Sequence, residues 1–382
     1  MAGICIIGGG ASGIAAAIAA RMMNPDIPVC ILEKSGKIGR KLLATGNGRC
    51  NFTNMACENS REILDFFKTI GISAREEEHG RVYPYSGRAK DILDAFELYL
   101  NLHNVKVITG FNVESLNFNS DGMFIAVCGE LEVSAAKVLL ATGGKAGPQF
   151  GCSGDGYRMA KAAGHTVTKI IPVLSPVECA GDFSGIDGIR VKASVSIIKK
   201  GEVLHTENGE VQFAGYGLSG VCVFNLSRYI KLAGDAFTDF EISVDLIPEL
   251  GQGDLEAELE ARSENPNISP GGLLISLVPG NLSVYVLDRA YDGKIKSIAR
   301  VLKDLRFTVT NVKGWKSAQC TSGGVPLCEI NQDTMESRLT PGLYFAGELI
   351  DYDGPCGGYN LNNAWETGIK AGRAMAKDVQ DS

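Results

Sequence analysis

The chain opens on a short apolar run, Gly3 to Ile7, whose unbroken hydrophobicity predicts a strand buried on both faces of a parallel sheet. An alanine-rich segment then predicts a helix to about Met23, and the run Pro28 to Leu32 predicts a second strand. Two further apolar runs, KVLLA at 137–141 and GLYFA at 342–346, read as strands far along the chain. Between them the pattern changes. From about Gly185, VKASVSIIKKGEVLHTENGEVQFAG alternates apolar and polar residues, which predicts antiparallel hairpins with a turn at Glu207 to Gly209. GLSGVCVFNLSRYI, 217–230, predicts a helix capped by Ser219. LEAELEARS, GGLLISLV, LSVYVLDRA and KIKSIARVL predict short helices up to Leu305, and RFTVTNV returns as a strand. The expected organisation is therefore a discontinuous α/β domain, 1–184 with 314–382, interrupted by an inserted domain, 185–313, that is β-rich and then helical.

Composition narrows the classes. With 382 residues, 45% of them hydrophobic, the chain can bury more than one core. A formal charge of −7 argues against nucleic acid as the main partner, because neutralising phosphates calls for a basic face. Eleven cysteines, no two of them separated by only two residues, favour buried thiols in a reducing compartment over a disulfide frame or a zinc knuckle. MAGICIIGGG enters a strand directly, without a secretory n-region and h-region, and no run reaches the length of a membrane span. A cytoplasmic protein with no membrane partner is expected.

Chemistry begins at the end of the first strand. Gly8, Gly9, Gly10, Ala11, Ser12 and Gly13 form G-x-G-x-x-G between a strand and a helix. Gly8 permits the tight turn, Gly10 lets backbone approach a pyrophosphate, and Gly13 lets helix and strand pack closely. The helix N-terminus offers unpaired N–H groups and positive partial charge to the anion. Glu33, twenty residues beyond Gly13 and ending the second strand, can accept hydrogen bonds from both hydroxyls of an adenosine ribose. These features predict a bound dinucleotide, FAD or NAD.

The later strand ends choose between the two. KVLLA runs through Ala141 into Thr142, Gly143 and Gly144, and GLYFA runs into Gly347 and Glu348 and then LIDYDGPCGGYNLNNAWETG, a loop entering a helix at about Asn362. A nicotinamide dehydrogenase has no need of this third glycine-rich strand end, whereas a flavin's ribityl chain and pyrimidine edge would be covered by it. No second G-x-G-x-x-G in a strand-to-helix setting is present, so a nicotinamide would dock directly at the flavin. His79, His103, His165 and His205 show no metal-ligand spacing, and no nucleophile elbow supports a hydrolase.

GGGASGIAAA, GRKLLATGNGRCNFTN, GRVYPYSGRA, ATGGKAGPQFGCSGDGY, GLSG, CTSGGVPLCEI, TMESR and GLYFAGELIDYDGPCGGYNLNNAWETG, in that order, resemble the bacterial BaiN/RdsA-type, YhiN-like flavoproteins over essentially the whole chain. The resemblance implies a Rossmann-like, glutathione-reductase-like FAD-binding domain with an inserted mixed β-barrel and helical domain shaping the substrate pocket. It implies non-covalent FAD, with NAD(P)H as a transient donor.

On that basis Lys34, Arg40 and Lys41 follow the dinucleotide from Glu33, and Gly46, Asn47 and Gly48 bring backbone N–H groups to it. Arg49 would bind phosphate or face the substrate. Asn51 and Asn54 satisfy the loop's own backbone as readily as a ligand, and Cys50 and Cys57 are expected to be buried small residues. Glu348 would accept a hydrogen bond from the ribityl or phosphate side. Gly357 and Gly358 would let the backbone approach the ring, with Tyr359, Asn360 and Leu361 along it. Arg49 and Tyr359 are the catalytic candidates. The expected activity is reduction of an activated C=C or carbonyl of a small, enone-like molecule of the steroid or bile-acid kind. An amine oxidase and a flavin-dependent RNA-modifying protein are the alternatives.

Overall fold

A computed structural model describes residues 2–119 and 122–380. The chain divides into two compact units, one formed by residues up to 172 together with those from 320 onward, the other by Val173–Gln319. In the first, the apolar runs become neighbours in one sheet. Ala2–Ile7 lies in parallel between Val29–Glu33 and Leu131–Leu140, Lys106–Thr109 extends the sheet beyond Val29–Glu33, and Leu343–Phe345 pairs in parallel with Leu131–Leu140. The earlier half of Leu131–Leu140 pairs antiparallel with Phe124–Cys128, which pairs with Ser115–Phe118. Ile7 and Phe345 both stand opposite Leu140, so three strands end level with one another.

The alanine content of the first helix, Ala11–Met23, has a packing cause. Every residue from Ser12 to Ala20 is buried, against the C-terminal helix, Tyr359–Gln380, and the core. At Gly368 a Cβ would sit 2.3 Å from the Ser12 carbonyl oxygen, and at Gly372 2.2 Å from that of Ala16. The two helices therefore meet backbone to backbone, and larger side chains would force them apart. No helix among the described residues is long and apolar enough to cross a membrane.

The second unit is built on a closed antiparallel barrel. Around it run Val177–Cys179, Gly217–Ser219, Glu202–Ala214, Arg190–Lys199, Phe240–Asp245 and Leu305–Val312, the last returning to Val177–Cys179. Its first strand precedes the alternating text at Gly185, because three residues of Val177–Cys179 close the ring. Helices Val221–Ala233, Gln252–Glu264, Gly280–Arg289 and Ile295–Lys303 complete this unit.

Three local expectations change. The hairpin turns at Lys200 and Gly201, both with positive φ, and the Glu207–Gly209 stretch stays within a strand, where Asn208 pairs opposite Ser194. Ser219 ends a strand instead of capping a helix. Gly220 takes the cap position with φ 110°, where a Cβ would lie 2.3 Å from the Glu210 carbonyl oxygen. GGLLISLV forms only a 3-10 turn at Pro270–Gly272 followed by further hydrogen-bonded turns.

Candidate flavin site

The level strand ends bring four of the predicted segments to one edge of the sheet: Gly8–Gly13, Glu33, Ala141–Gly143 and Gly347–Glu348. In open α/β sheets this carboxyl edge is where ligands bind. The Gly8 amide donates to Leu32 O at 2.8 Å, that of Ala141 to Ile7 O at 2.9 Å and that of Ala346 to Leu140 O at 3.1 Å. Gly8 has φ 112°, and a Cβ there would lie 2.4 Å from Ala141 O. At Gly13 it would lie 2.0 Å from Gly8 O, and at Gly347 2.6 Å from Ser12 Oγ. Only hydrogen fits at these positions.

Gly10 and Gly143 differ, because a Cβ at either would meet no atom within 4 Å. Gly10 is the N-cap of the first helix and supplies no side-chain acceptor to its first N–H groups. Glu33 Oε2 accepts from the Gly9 amide at 2.9 Å and Oε1 from the Ser35 amide at 2.7 Å. A carboxylate has about four lone-pair sites, so this one is fixed in place with acceptor capacity left over. An open glycine turn, an uncapped helix N-terminus and a fixed carboxylate suit the pyrophosphate and ribose of a dinucleotide.

The cations expected along the phosphates have protein partners. Lys41 Nζ lies 2.6 Å from Glu348 Oε2, and Glu348 Oε1 accepts from the Thr321 amide at 2.9 Å. Thr321 Oγ1 in turn accepts from the Lys145 and Ala146 amides at 2.9 and 3.0 Å. Burial pulls the Lys41 pKa down, but the charge and hydrogen bond of Glu348, together with the nearby Cys152 and Cys320, leave the ammonium above its ordinary value. Lys34 reaches Ser153 and Asp155, the latter at 2.5 Å, while Arg40 donates to Gln149 O at 2.8 Å and to Ser35 Oγ at 3.3 Å. Burial also penalises the charged Asp155 carboxylate, yet hydrogen bonds from Lys34 and Ser153 hold its pKa below the usual range. Thr321, Asp155 and Ser153 carried no sequence signal for these roles.

Two loops complete the site. Gly46 and Asn47 adopt left-handed backbone, with φ near 57° and 56°, and Gly48 follows at 82°. Arg49 donates to Glu77 Oε1 at 2.6 Å and stacks 4.1 Å from the centre of the Tyr83 ring. Cys50 is fully buried, and burial pushes its thiol up to about 12. The second loop crosses the first. The Asn54 side-chain amide donates to Gly357 O at 2.9 Å, and a Cβ at Gly358 would lie 2.5 Å from Thr53 O.

The C-terminal helix starts at Tyr359, earlier than Asn362. Asn362 is buried one turn inside, bonded to Thr53 Oγ1 at 2.5 Å and Asn59 Oδ1 at 2.8 Å. Asn360 folds back on Gly354, accepting from its amide and donating to its carbonyl, both at 2.8 Å. Leu361 packs against the core, and burial raises the pKa of the half-buried Tyr359 phenol. Asn51 is the outlier. Its Oδ1 is buried without a hydrogen-bond partner and lies 3.1 Å from where a Gly358 Cβ would be. An orphaned acceptor beside a glycine pair at a helix N-terminus fits a ligand that brings a donor.

One polar cluster lies apart. His165 Nδ1 is 2.8 Å from Glu329 Oε2, and Nε2 is 2.7 Å from Ser337 Oγ. Ser337 is buried and accepts from the Leu339 and Thr340 amides, so this trio secures a turn.

This arrangement defines the class as a Rossmann-type FAD-binding fold. Residues 56–374 match the HI0933-like protein Rossmann domain family. The chain is 35% identical to a 3-dehydro-bile acid delta(4,6)-reductase of Clostridium scindens, across 98% of this chain and 99% of that one. It is 29% identical to a ribosomal RNA dihydrouridine synthase of Escherichia coli, across 95% of each. Among solved structures, the 3-ketosteroid-delta4-(5alpha)-dehydrogenase of Rhodococcus jostii superposes with a TM-score of 0.55 at 15% identity, covering 98% of this chain and 96% of that one, a likeness of fold. The protein belongs to the HI0933-like family of flavin-dependent oxidoreductases.

Proposed function

We propose that the protein is an FAD-dependent reductase that saturates a carbon–carbon double bond conjugated to a carbonyl in a small organic molecule, with NADH or NADPH as donor. What carries this reading is the open glycine turn and fixed Glu33 at the strand ends, in a chain similar along its whole length to a relative named for reducing bile acid double bonds. When bound, the flavin supplies hydride transfer at its N5. The chain's own residues do the rest. Gly8–Ser12 and the helix behind them hold the pyrophosphate, and Glu33 the ribose. Gly357, Gly358 and the N-terminus of Tyr359–Gln380 favour negative charge at the pyrimidine edge. Lys41, in the short helix Arg40–Ala44, and Glu348 tie the segment after Glu33 to the last strand end.

Arg49 and Tyr359 are the catalytic candidates. Glu77 and Tyr83 fix the Arg49 guanidinium, which can polarise a carbonyl oxygen. Tyr359 keeps its phenolic proton at neutral pH and can deliver it to the α-carbon as hydride arrives at the β-carbon. Eleven free thiols fit a reducing compartment such as the cytoplasm.

A second reading is RNA modification, favoured by the likeness to the ribosomal RNA dihydrouridine synthase. That name also describes saturation of a carbon–carbon double bond, so the chemistry is shared and the substrate differs. A net charge of −7 favours the small molecule. The test is anaerobic. FAD-loaded protein is bleached with NADH or NADPH and then given a cyclic enone, and the expected result is return of the yellow colour with formation of the saturated ketone. Reoxidation by ribosomal RNA fragments but not by the enone would favour the second reading. Bleaching by an amine in place of the nicotinamide, with the colour returning only once oxygen is admitted, would favour an oxidase.

A further inference from the structure

Beside the Gly357–Gly358 loop lies a cavity of about 460 Å³ lined by Arg49, Glu77, Glu78, Arg81 and Tyr83. It is an open cleft, and its wall is charged where a site for a wholly apolar molecule would not be. Most of that charge is paired within the protein. Glu77 Oε1 is shared by Arg49 at 2.6 Å and Arg75 at 3.6 Å, and Arg49 also lies over the Tyr83 ring. The hydrogen bond from Arg49 is the main reason the Glu77 carboxyl is held below its usual range. Glu78 is exposed.

Arg81 is the exception. It is half-buried on a strand, paired through backbone with Asn54, and its guanidinium has no hydrogen bond or ion pair among the described residues. Asn54 in turn holds the Gly357 carbonyl at 2.9 Å, and Arg81 Nε lies 3.8 Å from where a Gly357 Cβ would be. An unspent guanidinium is thus held at the edge of the loop assigned above to the pyrimidine side of the flavin.

We propose that Arg81 is the specificity residue for an anionic substituent, a carboxylate, on the organic substrate; this rests on the enone-reductase reading above. One free guanidinium fork matches the two oxygens of one carboxylate. A phosphate group would call for several cations or a nest of amides, and the neighbouring arginines are committed to Glu77. The stack of Arg49 on Tyr83 forms a fixed wall beside the anion, and a neutral analogue would leave Arg81 desolvated without a partner.

The test needs no turnover. Full-length, FAD-loaded, oxidised protein is titrated with a steroid-like cyclic enone carrying a carboxylate arm and with its methyl ester, and binding is read from perturbation of the visible flavin spectrum. The acid is expected to bind roughly 10- to 100-fold tighter than the ester, the usual worth of a charge-assisted hydrogen bond. Arg81→Gln should bring the ratio close to unity with FAD content unchanged, and Arg81→Lys should restore part of it. Equal affinities in the wild type, failure to bind either ligand, or a preference that survives Arg81→Gln would overturn the proposal. So would an Arg81→Gln defect confined to bleaching by NADPH. Turnover separates the two claims. Reduction of acid and ester alike sinks only the anion subsite, whereas tight binding of the acid without reduction sinks only the reductase reading.

Discussion

Lys41 and Glu348 stand 307 positions apart in the chain and 2.6 Å apart in space, joining the short helix Arg40–Ala44 that follows Glu33 to the last strand end of the sheet. Both side chains are partly buried, with 29% and 18% of their surface exposed, so the pair is worth more than a surface ion pair and less than a dry one. Glu348→Gln should destabilise the protein by about 1–3 kcal/mol, because the ammonium loses its partner while desolvated. Lys41→Met with Glu348→Gln should cost less than the sum of the single changes, as read by a denaturant-melt double-mutant cycle. The folded-state pKa of Lys41 is raised, so its stabilising contribution is complete below the ordinary lysine value and is lost as pH climbs through the folded value. Alkaline destabilisation should therefore be weaker in Glu348→Gln than in the wild type.

Gly13 and Gly10 separate folding from cofactor binding. A Cβ at Gly13 would overlap Gly8 O at 2.0 Å, so Gly13→Ala should lower stability by more than about 2 kcal/mol and yield colourless protein. At Gly10 a Cβ meets nothing within 4 Å. Gly10→Ala should therefore leave the apoprotein's melt within about 0.5 kcal/mol of wild type. Its FAD affinity should still fall at least about 10-fold, since the methyl would enter the space proposed above for the pyrophosphate. FAD titration by fluorescence quenching checks both.

Asn51 gives a test through its missing partner. A buried, unsatisfied Oδ1 costs on the order of 1–3 kcal/mol, so Asn51→Leu should leave the apoprotein as stable as wild type or more so. The order should reverse with FAD present, because only asparagine can accept the ligand's hydrogen bond. Melting curves with and without FAD give the comparison.

Cysteine reactivity should follow burial. Cys328 is exposed, whereas burial pushes Cys50 and Cys179 up to about 12. Brief alkylation of the native protein at about pH 8 should label Cys328 and spare the other two, since the thiolate is the nucleophile. Peptide mass mapping reads the outcome.

The turn Gly8–Gly13 and Glu33 were legible because strand, glycine spacing and carboxylate lie within one short stretch, where local chain geometry dictates their relation. The return of Gly347 and Glu348 to that turn was legible as a strand end, but its salt bridge to Lys41 was not, since no local rule pairs residues 307 positions apart. The same limit hid Asn54 reaching Gly357 and Thr53 reaching Asn362. The hairpin turn was misplaced for a different reason. KKG at 199–201 and ENG at 207–209 are both competent turns, and the match of strand lengths across the barrel decided between them. Ser219 illustrates a tertiary override: a good N-cap residue was displaced by Gly220, because only glycine tolerates the approach of the Glu210 carbonyl.

The central claim is that the carboxyl edge of this sheet holds one FAD, and the most direct measurement is the flavin retained per chain after incubation with FAD and gel filtration. The structure predicts a yellow protein carrying a single equivalent that is released intact on denaturation, with Gly10→Ala folded but largely colourless. A wild-type protein that emerges folded and colourless, or a Gly10→Ala variant that retains FAD as tightly as the parent, would contradict it.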